Sequence, residues 1–201
     1  MARLSMLIDL RTCIGCHACS VACKAEFDVP LGTLRNTVKY VENGQAPQAL
    51  RHFIPVLCNH CEDAPCTRVC PSRAVIRLDG GQVVIDKDRC RGKQECIEAC
   101  PYGAITLHPD SHKAQKCTLC VHRTEQGQAP ACVEACPTKT RIFGDLDDPG
   151  SELARRLAAT PTVAWREHDG TRPKVRYVDT RGALPLLAEQ TMNPRTQKQR
   201  R

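Results

Sequence analysis

Residues 117–137 read Cys117-Thr118-Leu119-Cys120, eleven intervening residues, then Cys132-Val133-Glu134-Ala135-Cys136-Pro137. Working back along the chain, the same device recurs as Cys90-x5-Cys96-x3-Cys100-Pro101 and as Cys58-x2-Cys61-x4-Cys66-x3-Cys70-Pro71. It opens the sequence as Cys13-x2-Cys16-x2-Cys19-x3-Cys23. All four groups end in C-x3-C, and three run straight into proline. A thiol pattern repeated four times with varied loop length is one ligating unit used repeatedly.

Fifteen cysteines in 201 residues could in principle be a disulfide scaffold with one thiol left over. Disulfide frameworks do not repeat one short spacing in this way. A zinc array would use C-x2-C, yet it has no need of the trailing C-x3-C-P. A cubane iron–sulfur cluster needs both parts. Its iron corners each take one thiolate, and a C-x2-C-x2-C loop covers three of them. The fourth thiolate comes from elsewhere; in two-cluster ferredoxins it is the cysteine before proline of the other run. Two groups therefore interlock as a pair. The expected fold is α+β: two interlocked bacterial-ferredoxin-like (βαβ) double-cluster modules with short hairpins, plus a C-terminal helix and strand extension. With only 3 % aromatics, the chain must draw stability from something besides apolar packing, and metal centres supply it.

The formal charge of +7 counts every thiol as neutral. Each fully ligated cluster carries −2, so four of them contribute −8 and bring the oxidised holoprotein to 7 − 8 = −1. The basic excess thus offsets thiolates, and no nucleic-acid-binding motif accompanies it. The first nine residues contain no signal-peptide-like apolar stretch and no paired arginines. No window approaches the roughly 18 apolar residues of a membrane helix. The expectation is a chain without direct membrane insertion, reaching a membrane through partner subunits, on either face. No dinucleotide fold signature, phosphate loop or catalytic triad appears, so no catalytic residue is assigned.

Short strands are expected at 74–78 and 83–85 around Asp79-Gly80-Gly81, and at 105–107 and 114–116 around Pro109-Asp110-Ser111. Short helices are expected at 18–24, 65–69, 94–99 and 130–135, a longer one at 148–159 and a strand at 174–178. From about Thr191 to Arg201 the sequence is polar and basic and reads as a flexible tail or an arm that orders on a partner.

The four groups in this order resemble the four-cluster iron–sulfur electron-transfer subunits of the dimethyl sulfoxide reductase family, which includes polysulfide, tetrathionate, sulfite and arsenate respiratory molybdoenzymes. Leu57-Cys58-Asn59-His60-Cys61, Ala99-Cys100-Pro101-Tyr102-Gly103, Lys116-Cys117-Thr118-Leu119-Cys120 and Gly144-Asp145-Leu146-Asp147-Asp148-Pro149 carry the resemblance, which runs from about Leu4 to Val178. It implies that the first group pairs with the fourth, and the second with the third. One cluster would use Cys13, Cys16, Cys19 and Cys136. Its neighbour would use Cys117, Cys120, Cys132 and Cys23. A third would use Cys58, Cys61, Cys66 and Cys100, and the fourth Cys90, Cys96 and Cys70. The corresponding division is 1–57 with 105–145 for one pair, 58–104 for the other, 146–190 as a docking extension and 191–201 as the tail.

Position 93 departs from the family pattern, being Lys where a fourth cysteine is expected. An ammonium has no lone pair for iron. The expected cofactors are therefore three 4Fe–4S clusters and one 3Fe–4S cluster at Cys70, Cys90 and Cys96. The alternative is four 4Fe–4S clusters, the last with water or hydroxide on one iron. The resemblance further implies a large molybdopterin (or tungsten) catalytic subunit and a quinone-reactive membrane-anchor subunit, with single electrons relayed between them in anaerobic respiration. The competing reading is a free polyferredoxin serving soluble oxidoreductases. Among non-cysteine residues, His17, His60, His108, His112 and His122 read as surface or hydrogen-bonding groups, and Trp165 and Tyr102 as core or interface residues. Arg11, Lys24, Lys113, Lys116 and Lys139 stand either beside clusters or in solvent.

Overall fold

The computed structural model describes residues 2–179 and 182–192. Its main sheet has three strands in the order β8-β1-β9, built from β1 (Leu4–Asp9), β8 (Arg141–Asp145) and β9 (Arg176–Val178). β1 pairs antiparallel with β8, Met6 opposite Phe143, and parallel with β9, Ile8 opposite Tyr177. Strand 1 is buried along almost its whole length, and Met6 and Ile8 face the cysteine-rich core. β2 (Asn36–Asn43) and β3 (Leu50–Leu57) form a long antiparallel hairpin. Two three-residue hairpins follow, β4 (Val75–Arg77) with β5 (Val83–Ile85), and β6 (Ile105–Leu107) with β7 (Ala114–Lys116).

The helices between them are short: α1 (Ala18–Phe27), α2 (Pro65–Val69), α3 (Glu95–Glu98), α4 (Val121–Thr124) and α5 (Ala131–Glu134). A helix of four or five residues is not stable by itself in water; packing holds these in place, α1 against α5 and α2 against α3. The four strands of the two small hairpins lie within the expected spans, each trimmed by at most two residues.

The expected strand at 174–178 begins at Arg176, and the expected helix at 148–159 begins at Glu152, so α6 is Glu152–Ala159. Asp148 and Gly150 are held in a turn by the Asp148 carboxylate, and Ser151 takes the N-cap, its Oγ accepting from the Ala154 amide at 3.0 Å. Leu153 of α6 is fully buried in a satellite core with Leu7, Ile142 and Val178. Leu153→Ala is expected to cost about 2–5 kcal/mol in chemical denaturation of the holoprotein, as buried leucine truncations do. The segment from 191 was expected to be tail, but α7 (Ala183–Met192) runs through Thr191. Residues 193–201 lie outside those described. Among the described residues no helix is long and apolar enough to cross a membrane.

Candidate metal centres

Each cysteine group is built on one backbone trick. The residue two after its first cysteine is left-handed: Gly15 (φ 71°), His60 (φ 44°), Gly92 (φ 66°) and Leu119 (φ 55°). This turns a backbone amide toward sulfur. The His60 amide lies 3.5 Å from Cys58 Sγ, the Leu119 amide 3.4 Å from Cys117 Sγ, and the Gly15 amide holds Cys13 in the same way. The third group differs, with Cys90 Sγ accepting from the Ala114 amide at 3.4 Å. At Gly15 the Phe53 ring occupies the place a Cβ would take, so any larger residue there would have to displace that ring.

The Cys-Pro ends share a second device. The amides of Arg73, Gly103 and Lys139 donate to the carbonyls of Cys70, Cys100 and Cys136 at 3.0–3.2 Å. All three residues are left-handed, with φ of 49°, 59° and 50°. The turn aims later amides at sulfur, as when the Ala74 amide donates to Cys70 Sγ at 3.3 Å. Burial pushes the Cys70 and Cys136 thiols up, but hydroxyls of Ser72 and Thr138 and these amides outweigh it and hold both below the ordinary thiol range. Cys23 has no such turn, because α1 continues past it. Burial, then the charges of Cys132 and Cys120, push its thiol up to about 12.

Four neighbourhoods of thiols result. Cys13 feels Cys19 and Cys136, with Cys16 exposed on the same loop. Cys132 and Cys120 both act on Cys23, and Cys132 and Cys23 on the buried Cys117. Cys58, Cys61 and Cys100 all act on Cys66. Cys70 and Cys90 act on Cys96, and these three line one cleft with Lys93. The short helices explain the grouping. A C-x3-C spacing spans about one helical turn. Its first cysteine therefore lies in one neighbourhood and its second in the next, as with Cys66 and Cys70 at either end of α2.

The cysteines are all free thiols. Among the described residues no three His, Cys, Asp or Glu side chains converge on the point a single ion would occupy. A cubane holds its thiolates farther apart, around its outer iron corners, so the donor set fits clusters better than zinc. Orphaned polar atoms in the second loop fit as well. His60 is buried, its pKa driven well down by burial and by Lys116, Lys174 and Arg77. Its Nδ1 accepts from the Val83 amide at 3.0 Å, which places the proton on Nε2, and Nε2 has no partner. The Asn59 amide is buried and unpartnered as well.

Two buried cations were not fully legible beforehand. Lys116, 2 % exposed, places Nζ 3.2 Å from Cys58 Sγ and 2.9 Å from the Cys117 carbonyl, and also bonds the Val83 carbonyl. Arg141, likewise 2 % exposed, reaches Cys19 Sγ at 3.4 Å and Cys132 Sγ at 3.8 Å, and donates to Asn36 Oδ1 at 2.6 Å. Arg35 is buried too, stacked 4.5 Å above the Phe27 ring. The sign available for Arg141 was an arginine in a β-like run five residues after Cys136.

The other basic candidates behave differently. Arg11 pairs with Asp9, Lys24 donates to the Pro30 and Thr33 carbonyls, and Lys139 is exposed. Lys113 is half-buried. His17 meets Tyr40 at 2.6 Å and His122 meets Glu26 at 2.6 Å, whereas His108 accepts from local amides and His112 is exposed. Tyr102 and Trp165 are buried with ring centroids 5.6 Å apart, as core residues.

Residues 49–146 match the model of a 4Fe-4S dicluster domain, and residues 4–25 that of a 4Fe-4S binding domain. The B subunit of tetrathionate reductase from Salmonella typhimurium is 42 % identical over 191 residues, covering 92 % of this chain and 76 % of that protein. Thiosulfate reductase electron transfer subunit PhsB of Salmonella typhi is 47 % identical, covering 75 % and 79 %. The arsenate respiratory reductase iron-sulfur subunit ArrB of a Shewanella species is 32 % identical, covering 90 % and 97 %. With thiol loops of this geometry and similarity along nearly all its length, the chain belongs to the family of iron–sulfur subunits of the molybdoenzyme reductases, as a non-catalytic electron-transfer subunit.

Proposed function

We propose that this chain holds four clusters in a row and relays single electrons between a large molybdopterin catalytic subunit and a quinone-reactive membrane subunit. The clusters supply reversible one-electron chemistry; the protein supplies position, insulation and charge. The observation that carries the reading is the continuity of the thiol neighbourhoods. Cys132 lies within electrostatic reach of Cys19, and Cys58 within reach of Cys117.

Cys13, Cys16, Cys19 and Cys136 would hold the cluster facing the catalytic subunit, Cys16 being the exposed cysteine at that end. Cys117, Cys120, Cys132 and Cys23 would hold the second, Cys58, Cys61, Cys66 and Cys100 the third. Cys70, Cys90 and Cys96 would hold a 3Fe–4S cluster, since Lys93 supplies no thiolate to their shared cleft. The relatives are named as subunits of tetrathionate, thiosulfate and arsenate reductases, which supports a catalytic partner for this chain. The division into two double-cluster modules follows the same ligand sets, with residues 146–190 as the docking extension.

Native anaerobic purification tests the complex: a co-purifying molybdenum or tungsten protein and a membrane protein are expected. Elution alone, with iron and sulfide only, would instead favour a free polyferredoxin. The ligand sets have their own test. Cys66→Ser and Cys100→Ser are expected to perturb one and the same centre in reduced-state EPR, and Cys70→Ser and Cys96→Ser a different one. If Cys66 and Cys70, neighbours in sequence, affect the same centre, the exchange of last cysteines is wrong.

A further inference from the structure

Among the described residues, Arg141 and Lys116 are the two buried cations whose charged atoms touch cysteine sulfur, and their placement is not symmetrical about a single thiol loop. Arg141 projects from β8 between Cys19 and Cys132, which fall in different neighbourhoods. Its remaining side-chain partners are the Asn36 Oδ1 at 2.6 Å and the Met6 sulfur at 3.6 Å, so no carboxylate partner is found among the described residues. Lys116 has Cys58 sulfur on one side and the Cys117 carbonyl on the other, again across two neighbourhoods, and its partners there include no carboxylate. Burying a cation without an anion is costly, and breaking such a pairing is strongly destabilising. These cations therefore fit a protein in which anionic thiolate cages sit on either side of them.

We infer that Arg141 and Lys116 are junction cations: fixed charges set between successive clusters, which raise the reduction potentials of the clusters they touch. This rests on the ligand sets proposed above. Each cluster becomes more negative by one charge when it takes up an electron, so a cation in contact with its thiolates favours the reduced form. Because the medium is buried, that preference is screened far less than at a surface. Asn36 fixes the direction of Arg141: its Oδ1 accepts from the guanidinium while its Nδ2 donates to the Cys19 carbonyl at 2.8 Å. The two junctions differ in reach. Arg141 touches sulfur of both clusters. Lys116 touches sulfur only on the Cys58 side, and its charge also acts on Cys66 and Cys100.

The test is an EPR-monitored redox titration of the full-length, anaerobically purified chain, with signals assigned by the serine variants described above and by Cys19→Ser and Cys132→Ser. Arg141→Gln is expected to change the oxidised-to-reduced ratio at fixed poise at least tenfold toward oxidised for both adjoining clusters, about 59 mV per one-electron couple. Lys116→Gln is expected to do so for the Cys58 cluster and to leave the Cys19 cluster where it was. Arg141→Lys, keeping the charge, is expected to restore most of the shift. Should Arg141→Gln not load iron, Asn36→Asp sets a carboxylate on the cation without removing it and is expected to move the same two centres in the same direction. Unchanged midpoints in the loaded Gln variant, or in Asn36→Asp, would overturn the inference, as would a uniform shift of all four centres. If the serine variants fail to resolve separate centres, the ligand sets have failed instead.

Discussion

Stripping iron and sulfide from the purified chain is expected to abolish its cooperative thermal transition rather than lower it by a few degrees. Ten of the cysteines are buried, and most of them sit inside the principal apolar core among Met6, Ile8, Ile54 and Tyr177. Without clusters those sulfurs border voids, and burial pushes Cys66 and Cys23 to about 12, so they revert to neutral thiols. Arg141, Lys116 and Arg35 would then be buried cations deprived of the thiolates near them, at several kcal/mol each. A domain has only about 5–15 kcal/mol in total. Local structure cannot make up the difference, since α2, α3, α4 and α5 are four or five residues long and the small hairpins have three-residue strands. Circular dichroism melting and amide dispersion in NMR, before and after anaerobic chelation, make the comparison. A chelated chain that still melts in a sharp transition would show that packing alone carries the fold.

Lys93→Cys is expected to add one iron per chain and to erase the EPR signal of the ferricyanide-oxidised protein. Oxidised 3Fe–4S is paramagnetic, and oxidised 4Fe–4S is silent. Lys93 lines the cleft with Cys70, Cys90 and Cys96, so a thiolate there completes a set of four. The potential of that centre is expected to fall by on the order of 100 mV, because cluster type is a principal lever on a range from about −700 to +450 mV. Electron flow through the assembled complex should slow accordingly. A wild-type chain that is EPR-silent when oxidised would remove the premise.

The repeated thiol spacing carried most of what could be read in advance. The turn residues Asp79-Gly80-Gly81 and Pro109-Asp110-Ser111 placed all four strands of the small hairpins within two residues. Neither signal announced β1, β2, β3 or β8. Their pairing is long-range, Leu4 with Asp145 for example, and nothing local in Leu4–Asp9 names so distant a partner. α7 was not among the expected helices; Pro185 stands in its first turn, where Pro is tolerated. The basic residues were the hardest. Lys116 and Lys139 both lie close to cysteines in sequence, but only Lys116, inside a hairpin strand, is turned into the core.

β1 lies between β8 and β9, strands contributed from beyond residue 140. During synthesis the N-terminal strand therefore has no sheet to join until nearly three quarters of the chain has emerged. Residues 58–104, by contrast, close on themselves through α2 and α3. Domains tend to form as units in the order they leave the ribosome, so on the proposed ligand sets the middle of this chain would be ready for its metal before the first strand is paired. On the proposed ligand set, the thiols at 13, 16 and 19 would have to stay reduced and uncommitted until Cys136 arrives. The sheet order thus sets a maturation timetable, in which the strand made first is among the last to be paired.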